Sequence, residues 1–129
     1  MSIQELQQRV DTYHSNQGKN RGHLEQLGLD FHGVEMDGRN LAAAVIPAAD
    51  FSGMTLRDVD FAGANLGGAN FSDATLIGVI FVKANLDHAN FTNTTVIGGS
   101  WFRATCVNLE REGLTFSGTN IERVLPDLI

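Results

Sequence analysis

The feature that most constrains this chain is a repeat with a period of five residues. Residues 61–76 read FAGANLGGANFSDATL, and a large apolar residue recurs at every fifth position. Neither an α-helix nor a flat strand places every fifth residue on one side, so neither element alone explains the pattern. The phase runs from Phe31 to Ile121 without insertion or deletion, and only Arg111 breaks its apolar character. One continuous repetitive structure is therefore predicted.

A closed coil can use this repeat if each five-residue unit forms one side of the coil. The large residue then points inward at the centre of the side, and the small residue two positions earlier points inward near the corner. Successive coils would stack about 4.8 Å apart and share backbone hydrogen bonds, as parallel strands do. Frequent glycine, with 14 residues, suits the tight corners.

The units GANL, GANF, KANL and HANF carry a resemblance to a known family. They are similar to the pentapeptide-repeat consensus, in which a small residue, Asp or Asn, and Leu or Phe precede two variable residues. The resemblance covers about residues 31–121. It implies an all-β fold, a right-handed quadrilateral β-helix solenoid with four repeats per coil, of about four to five coils here. We expect an N-terminal helix and lead-in cap at 1–30, the β-helix at 31–125 and a tail at 126–129.

Residues twenty apart should therefore stack on one face, and the sequence supports this independently of the family. Phenylalanine fills most of two inward columns, and aliphatic residues fill the other two. A ladder of four threonines runs beside one column, which suits a stacked sheet. The predicted columns are Phe31, Phe51, Phe71, Phe91; Leu41, Phe61, Phe81, Trp101; Met36, Leu56, Leu76, Val96, Phe116; and Ile46, Leu66, Leu86, Cys106, with the ladder Thr55, Thr75, Thr95, Thr115.

Both ends of such a stack need protection. Ser2 and Glu5 have capping-box spacing, and Ile3, Leu6, Val10 and Tyr13 form one helical stripe. This short α-helix is expected to cap the first coil, with a partner-binding helix as the alternative. A polar linker follows, whose Lys19 and Arg21 match no phosphate-binding spacing. At the other end Pro126 should stop the ladder, and either the tail folds over the last coil or a second copy packs there as a homodimer.

Composition excludes several classes of function. The net charge of -6 disfavours direct nucleic-acid binding. No apolar run is long enough to span a membrane, and the N-terminal sequence is too polar for a secretory signal, so a cytoplasmic location is expected. The four histidines have no metal-ligand spacing, and Cys106 is predicted to be a core thiol rather than a nucleophile. We expect no enzyme activity, no metal and no cofactor.

Arg111 is the anomaly of the repeat, because it occupies an inward position after four phenylalanines. An unpaired guanidinium in the core would be very costly. The segment NLEREGL is therefore predicted to bulge, so that Leu109 fills the core and Arg111 turns outward. The alternative is an Arg111 that faces a partner beside Glu110 and Glu112.

The best functional lead is a group of apolar residues at positions that should be exposed, named here the apolar corner. A basic column beside it could form its polar rim. The favoured function is a protein-interaction or scaffold module that binds a protein partner of unknown identity. The alternative is a DNA-mimic inhibitor of a type II topoisomerase (gyrase). A third hypothesis is a module that accompanies a secreted effector. The apolar corner comprises Ile77, Ile80, Val82, Ile97, Phe102 and Val107, and the rim comprises Lys83, Arg103 and Arg123.

Overall fold

The computed structural model describes residues 1–16, 24–126 and 128. The linker predicted after α1, with Lys19 and Arg21, lies outside the described residues, and so do positions 127 and 129 of the tail. Within the described part of the chain, no helix is long and apolar enough to cross a membrane.

The β-helix has four faces, each named here after one inward residue: Phe71, Leu76, Phe81 and Leu86. On every face, residues twenty apart are paired in parallel, as the sequence predicts. The Leu76 face carries one parallel sheet in the order β1-β2-β3-β4, and the register pairs the predicted threonine ladder residue by residue. The strands are β1 (Thr55–Arg57), β2 (Thr75–Ile77), β3 (Thr95–Ile97) and β4 (Thr115–Ser117).

The other three faces are held by isolated bridges in the same register. On the Leu86 face these bridges run in five steps of twenty residues, from Glu25 to Leu125. The ladder thus begins within the segment that the sequence suggests as a lead-in. It ends directly before Pro126, whose missing N–H cannot continue it.

The core consists of the four predicted columns, with phenylalanine rings at its centre. The rings of Phe51 and Phe71 are stacked with centroids 4.9 Å apart, and those of Phe61 and Phe81 with centroids 5.5 Å apart. The two columns meet edge to face, as between Phe71 and Phe81, an arrangement that the ring quadrupole favours. Trp101 continues the Phe81 column and is fully buried, as expected. Small residues such as Ala69 fill the space near the corners.

Asparagine side chains close the turns between faces. Asn70 Oδ1 accepts a hydrogen bond from the Ser72 N–H at 2.9 Å, and Asn90 Oδ1 accepts one from Thr92 in the same way. Asn65 and Asn85 repeat this geometry on the Leu86 face. Through these contacts the polar position of the repeat satisfies backbone N–H groups.

The N-terminal α-helix α1 (Ile3–Ser15) begins as the sequence predicts, because Ser2 Oγ accepts a hydrogen bond from the Glu5 N–H. Leu6, Val10 and Tyr13 are buried. Ile3 departs from the predicted stripe, because it is 52% exposed.

Helix α1 also supplies polar groups to the open edge of the first coil. The Gln7 carboxamide accepts from the Glu35 N–H at 2.6 Å and donates to the Glu35 carbonyl at 3.1 Å. His14 Nδ1 accepts from the Asn40 N–H, and the Tyr13 hydroxyl donates to the Ala42 carbonyl. The helix therefore replaces a preceding coil, and the predicted cap is confirmed.

The C-terminal end shows that the prediction of a bulge around Arg111 is wrong. Glu110 pairs with Asn90 in the normal register, and Leu114 N–H donates to the Arg111 carbonyl as in other repeats. Arg111 is exposed because no further coil covers its position within the described chain, and its guanidinium donates to the Leu128 carbonyl at 3.2 Å. Leu109 is only half-buried against the core.

Candidate interaction surface

The apolar corner lies where the Leu76 face turns into the Phe81 face. Ile77 of β2 and Ile97 of β3 are neighbours in the parallel register. Because Leu76 and Val96 are buried, the isoleucine next to each of them points outward. Ile97 is 42% exposed, so much of a large aliphatic residue is open to solvent.

The second half of the surface lies on the Phe81 face. Ile80 and Val82 flank the buried Phe81, so both side chains point outward. Phe102 follows Trp101 in the same way one rung further on, where its carbonyl accepts the Lys83 N–H at 2.9 Å. All three apolar side chains are half-buried.

Very little separates the two halves. The turn between them contains Gly78 and the inward Val79 on one rung, and two glycines on the next. The Asp58 carboxylate of the preceding rung lies against Gly78. Five of the six predicted residues therefore surround one corner that carries few side chains of its own and has an acidic group at one end.

Val107 lies apart from the other five residues, and the name apolar corner refers from here on to those five. Val107 follows the next corner, on the Leu86 face, where its N–H donates to Asp87 Oδ1 of the preceding rung at 2.9 Å. Val107 is 45% exposed. Its outward neighbour on the preceding rung is therefore a carboxylate and not an apolar side chain. The register explains the difference, because Val107 follows the inward Cys106 on the Leu86 face, whereas the other five residues lie on the Leu76 and Phe81 faces.

The predicted rim forms a regular column. Lys83, Arg103 and Arg123 occupy equivalent corner positions on three successive rungs, all with positive φ and exposed side chains. The Arg103 guanidinium lies 5.3 Å from the centroid of the Phe102 ring, a cation–π distance. The column borders the Phe81 half of the apolar corner and makes that border positively charged.

The acidic column needed for DNA mimicry is interrupted. Asp50, Asn70, Asn90 and Glu110 do stack on the Phe71 face, in successive parallel bridges. The two central members are neutral amides, whereas a duplex carries a phosphate charge at every step. This column therefore gives no continuous negative stripe.

One polar cluster was not predicted. The side chains of Asp30, His32 and Asp50 converge on the Phe71 face, with potential ligand atoms within 4.8 Å of one another. His32 Nδ1 lies 2.6 Å from Asp30 Oδ1, and Nε2 lies 2.5 Å from the Ser52 carbonyl oxygen. Spacing along the sequence hides the cluster, but the twenty-residue stacking used for the core places Asp50 beside Asp30 and identifies it.

Cys106 lies in an environment that disfavours its thiolate form. Burial, and then the negative charge of Asp87, raises the pKa of the Cys106 thiol, which opposes formation of the reactive thiolate. Cys106 is 2% exposed, as predicted for a core thiol. An open groove lies between α1 and the first coil and is lined largely by glutamine and other polar side chains.

A family model for pentapeptide repeats matches residues 55–93, with 8 copies of the repeat. The fold is also similar to the crystal structure of a pentapeptide repeat protein from the Arabidopsis thaliana thylakoid lumen. The two chains are 30% identical with a TM-score of 0.57, over 84% of this chain and 68% of that one. This chain belongs to the pentapeptide-repeat family. Its fold is the family's right-handed quadrilateral β-helix, with a short N-terminal helix cap.

Two further pentapeptide-repeat structures have lower identity and a lower TM-score. HetL, involved in heterocyst differentiation regulation in the cyanobacterium Nostoc sp. strain PCC 7120, is 16% identical with a TM-score of 0.34, over 78% of this chain and 54% of that one. QnrB1, a plasmid-mediated fluoroquinolone resistance protein, is 17% identical with a TM-score of 0.34, over 78% of this chain and 73% of that one. Neither of these two similarities supports an inference about function. Among curated proteins there is no significant match.

Proposed function

We propose that this pentapeptide-repeat protein is a non-enzymatic interaction module that binds another protein through the apolar corner. The observation that carries the proposal is the pairing of outward apolar residues on successive rungs, Ile77 with Ile97 and Val82 with Phe102, around a turn that contains Gly78. A rigid solenoid whose interior is filled with side chains offers its faces rather than a pocket. Such repeat proteins present extended surfaces for binding.

The charges around the corner suggest the chemistry of the partner. Lys83, Arg103 and Arg123 border the surface on one side, so a partner with an apolar centre and an acidic edge would complement it. Phe102 is the expected anchor, because a half-buried aromatic side chain held by Arg103 is already partly ordered before binding. The cytoplasmic location stays a prediction.

The test begins with a photo-crosslinking amino acid at position 102, used to capture the partner, which is then purified. Phe102→Asp should weaken binding of that purified partner at least about tenfold, or about 1.4 kcal/mol. Ser72→Asp is the matched control, since Ser72 occupies the equivalent outward position on the opposite Phe71 face and should leave the Kd unchanged. Equal binding by both variants would refute the assignment of this surface.

Light scattering of the wild type and of Phe102→Asp distinguishes a foreign partner from a second copy. We expect the same molar mass for both proteins. A wild-type dimer that the substitution separates would make the apolar corner a self-interface and would overturn the proposal. Mimicry of DNA has no comparable support, and we expect gyrase supercoiling to be unchanged by an excess of the protein.

A further inference from the structure

His32 connects the first two coils of the β-helix through both nitrogens of its ring. Nδ1 lies 2.6 Å from Asp30 Oδ1 on its own coil, and Nε2 lies 2.5 Å from the Ser52 carbonyl oxygen on the next coil. The next residue, Gly33, lies against the Ile3 side chain of α1. The imidazole thus sits at the end of the solenoid that the helix covers.

The two contacts together require a protonated ring. A neutral imidazole has a single N–H, but a carbonyl oxygen and an ionised carboxylate can only accept. With both nitrogens protonated, His32 donates to Asp30 and to Ser52 at once. Both ring nitrogens are then used by the protein, so no lone pair remains free for a metal ion.

The surrounding charges favour the same protonation state. Asp30 and Asp50 are paired neighbours on the Phe71 face, and Asp50 Oδ2 lies 4.0 Å from His32 Nδ1. Asn70 and Asn90 close the same turn on later rungs without any charge. Two adjacent carboxylates are therefore more than the turn requires, and the imidazolium between them offsets their repulsion.

We propose that protonated His32 is a pH-sensitive latch between the first and second coils, and that the N-terminal end of the β-helix loosens when His32 loses its proton. Among the described residues, Asp30 and Asp50 are the charged groups that face the ring. The latch involves exposed side chains, so its effect is local and is screened by salt.

The direction of the pH dependence follows from two pKa shifts. The hydrogen bond to the Ser52 carbonyl, and then that to Asp30, raises the pKa of His32 above its ordinary value of about 6.5. The latch therefore contributes fully below that ordinary value and is lost as the pH rises through the folded-state pKa. At low pH the limit is set by Asp30, whose pKa is lowered by hydrogen bonds from the His32 backbone N–H and side chain. The contribution of the Asp30 carboxylate to stability is lost only as the pH falls through that lowered pKa.

The first measurement is an NMR titration of the His32 ring in the whole chain, with EDTA present. We expect a pKa above about 6.5 in the wild type and a lower pKa in Asp30→Asn. Asp73→Asn removes an exposed carboxylate from a corner of the same face and should leave the titration unchanged. A His32 pKa at or below about 6.5, or one insensitive to Asp30→Asn, would overturn the latch.

The second measurement tests the link to the first coil. Hydrogen-exchange protection of the Phe31 and Asp50 amides, whose bonds cross between coils, should fall from pH 6 to pH 9 in the wild type. His32→Gln should show the weaker protection at both pH values, and should have a Tm about 1–3 °C lower at pH 6 only. His88→Gln, at an exposed corner of another face, is the control and should behave as the wild type. Wild-type protection that does not change with pH would also refute the proposal.

Discussion

Adjacent glycines at one corner of the solenoid meet different steric requirements. Gly98 has φ +66°, but a β-carbon there would meet nothing closer than 3.9 Å. Equivalent corner positions on the next face hold Lys83 and Arg103 with similar positive φ values, so a side chain is tolerated at such corners. Gly99 also has positive φ, at +70°, and its β-carbon would collide with the Val79 carbonyl oxygen. Of these two residues, only Gly99 must be glycine because the backbone of the preceding rung lies too close for a side chain.

We expect Gly99→Ala to lower the free energy of unfolding by about 3 kcal/mol, because the backbone strain adds to a steric clash. Gly98→Ala should lower it by only about 1 kcal/mol, the cost of a left-handed alanine. Urea denaturation of both variants measures the difference. Equal losses would mean that the chain relaxes around Gly99 and that close approach is not its constraint.

At the scale of elements, α1 contributes more than an apolar cover. Gln7 pairs with both backbone groups of Glu35 as a neighbouring strand would, so one carboxamide extends the ladder by one residue. Only an amide can do this, because it presents a donor and an acceptor side by side. The helix thereby satisfies part of an edge that would otherwise be open to another chain.

Gln7→Glu should therefore cost about 1 kcal/mol in the free energy of unfolding at neutral pH. The carboxylate can still accept from the Glu35 N–H, but it cannot donate. It also repels the Glu35 carbonyl and the Asp11 carboxylate, to which the Gln7 amide donates at 3.1 Å. Gln8→Glu makes the same charge change at the exposed neighbouring position and should have almost no effect. If chemical denaturation gave the same loss for both variants, the added charge rather than the lost donor would be responsible.

The sequence predicted the elements to the extent that apolar periodicity determines them. Every inward column is correct, since burial of Phe71 or Leu76 depends only on the repeat phase. The bulge at Arg111 was wrong, because periodicity describes a position within a stack and does not reveal where the stack ends. The prediction includes Val107 in the apolar corner because it is apolar at an exposed position, although it lies on the next face. The His32 cluster is missed because the stacking is applied to the threonine ladder and the basic column, but not to the pair of Asp30 and Asp50.

At the scale of the whole molecule, each coil contacts only its neighbours, as in other solenoids. Phe71 is stacked between Phe51 and Phe91, with centroid distances of 4.9 and 4.8 Å. Phe116 packs on Trp101 at 5.2 Å but is only half-buried at the open end. Substitutions in the middle and at the end should therefore differ in how much unfolding free energy they remove and in how many coils they affect.

Phe71→Ala is expected to cost about 3–5 kcal/mol, because it leaves a cavity with a coil on either side. Phe116→Ala should cost less than about 2 kcal/mol and should increase hydrogen exchange only in the last coil. Urea denaturation combined with exchange measurements tests both expectations. A large global loss in Phe116→Ala would indicate that the whole solenoid unfolds as one unit from its C-terminal end.

The unbroken register from Glu25 to Leu125 limits how a molecule of this kind can change its length. Duplication or loss of one complete coil keeps every later residue on the same face. A shorter insertion of one repeat would turn the downstream part by a quarter of a revolution and would move its surface residues to a different side. Two kinds of genetic event therefore have separate effects. Gain or loss of a whole coil changes the length of the rod, and gain or loss of a single repeat changes the direction in which the downstream surface faces.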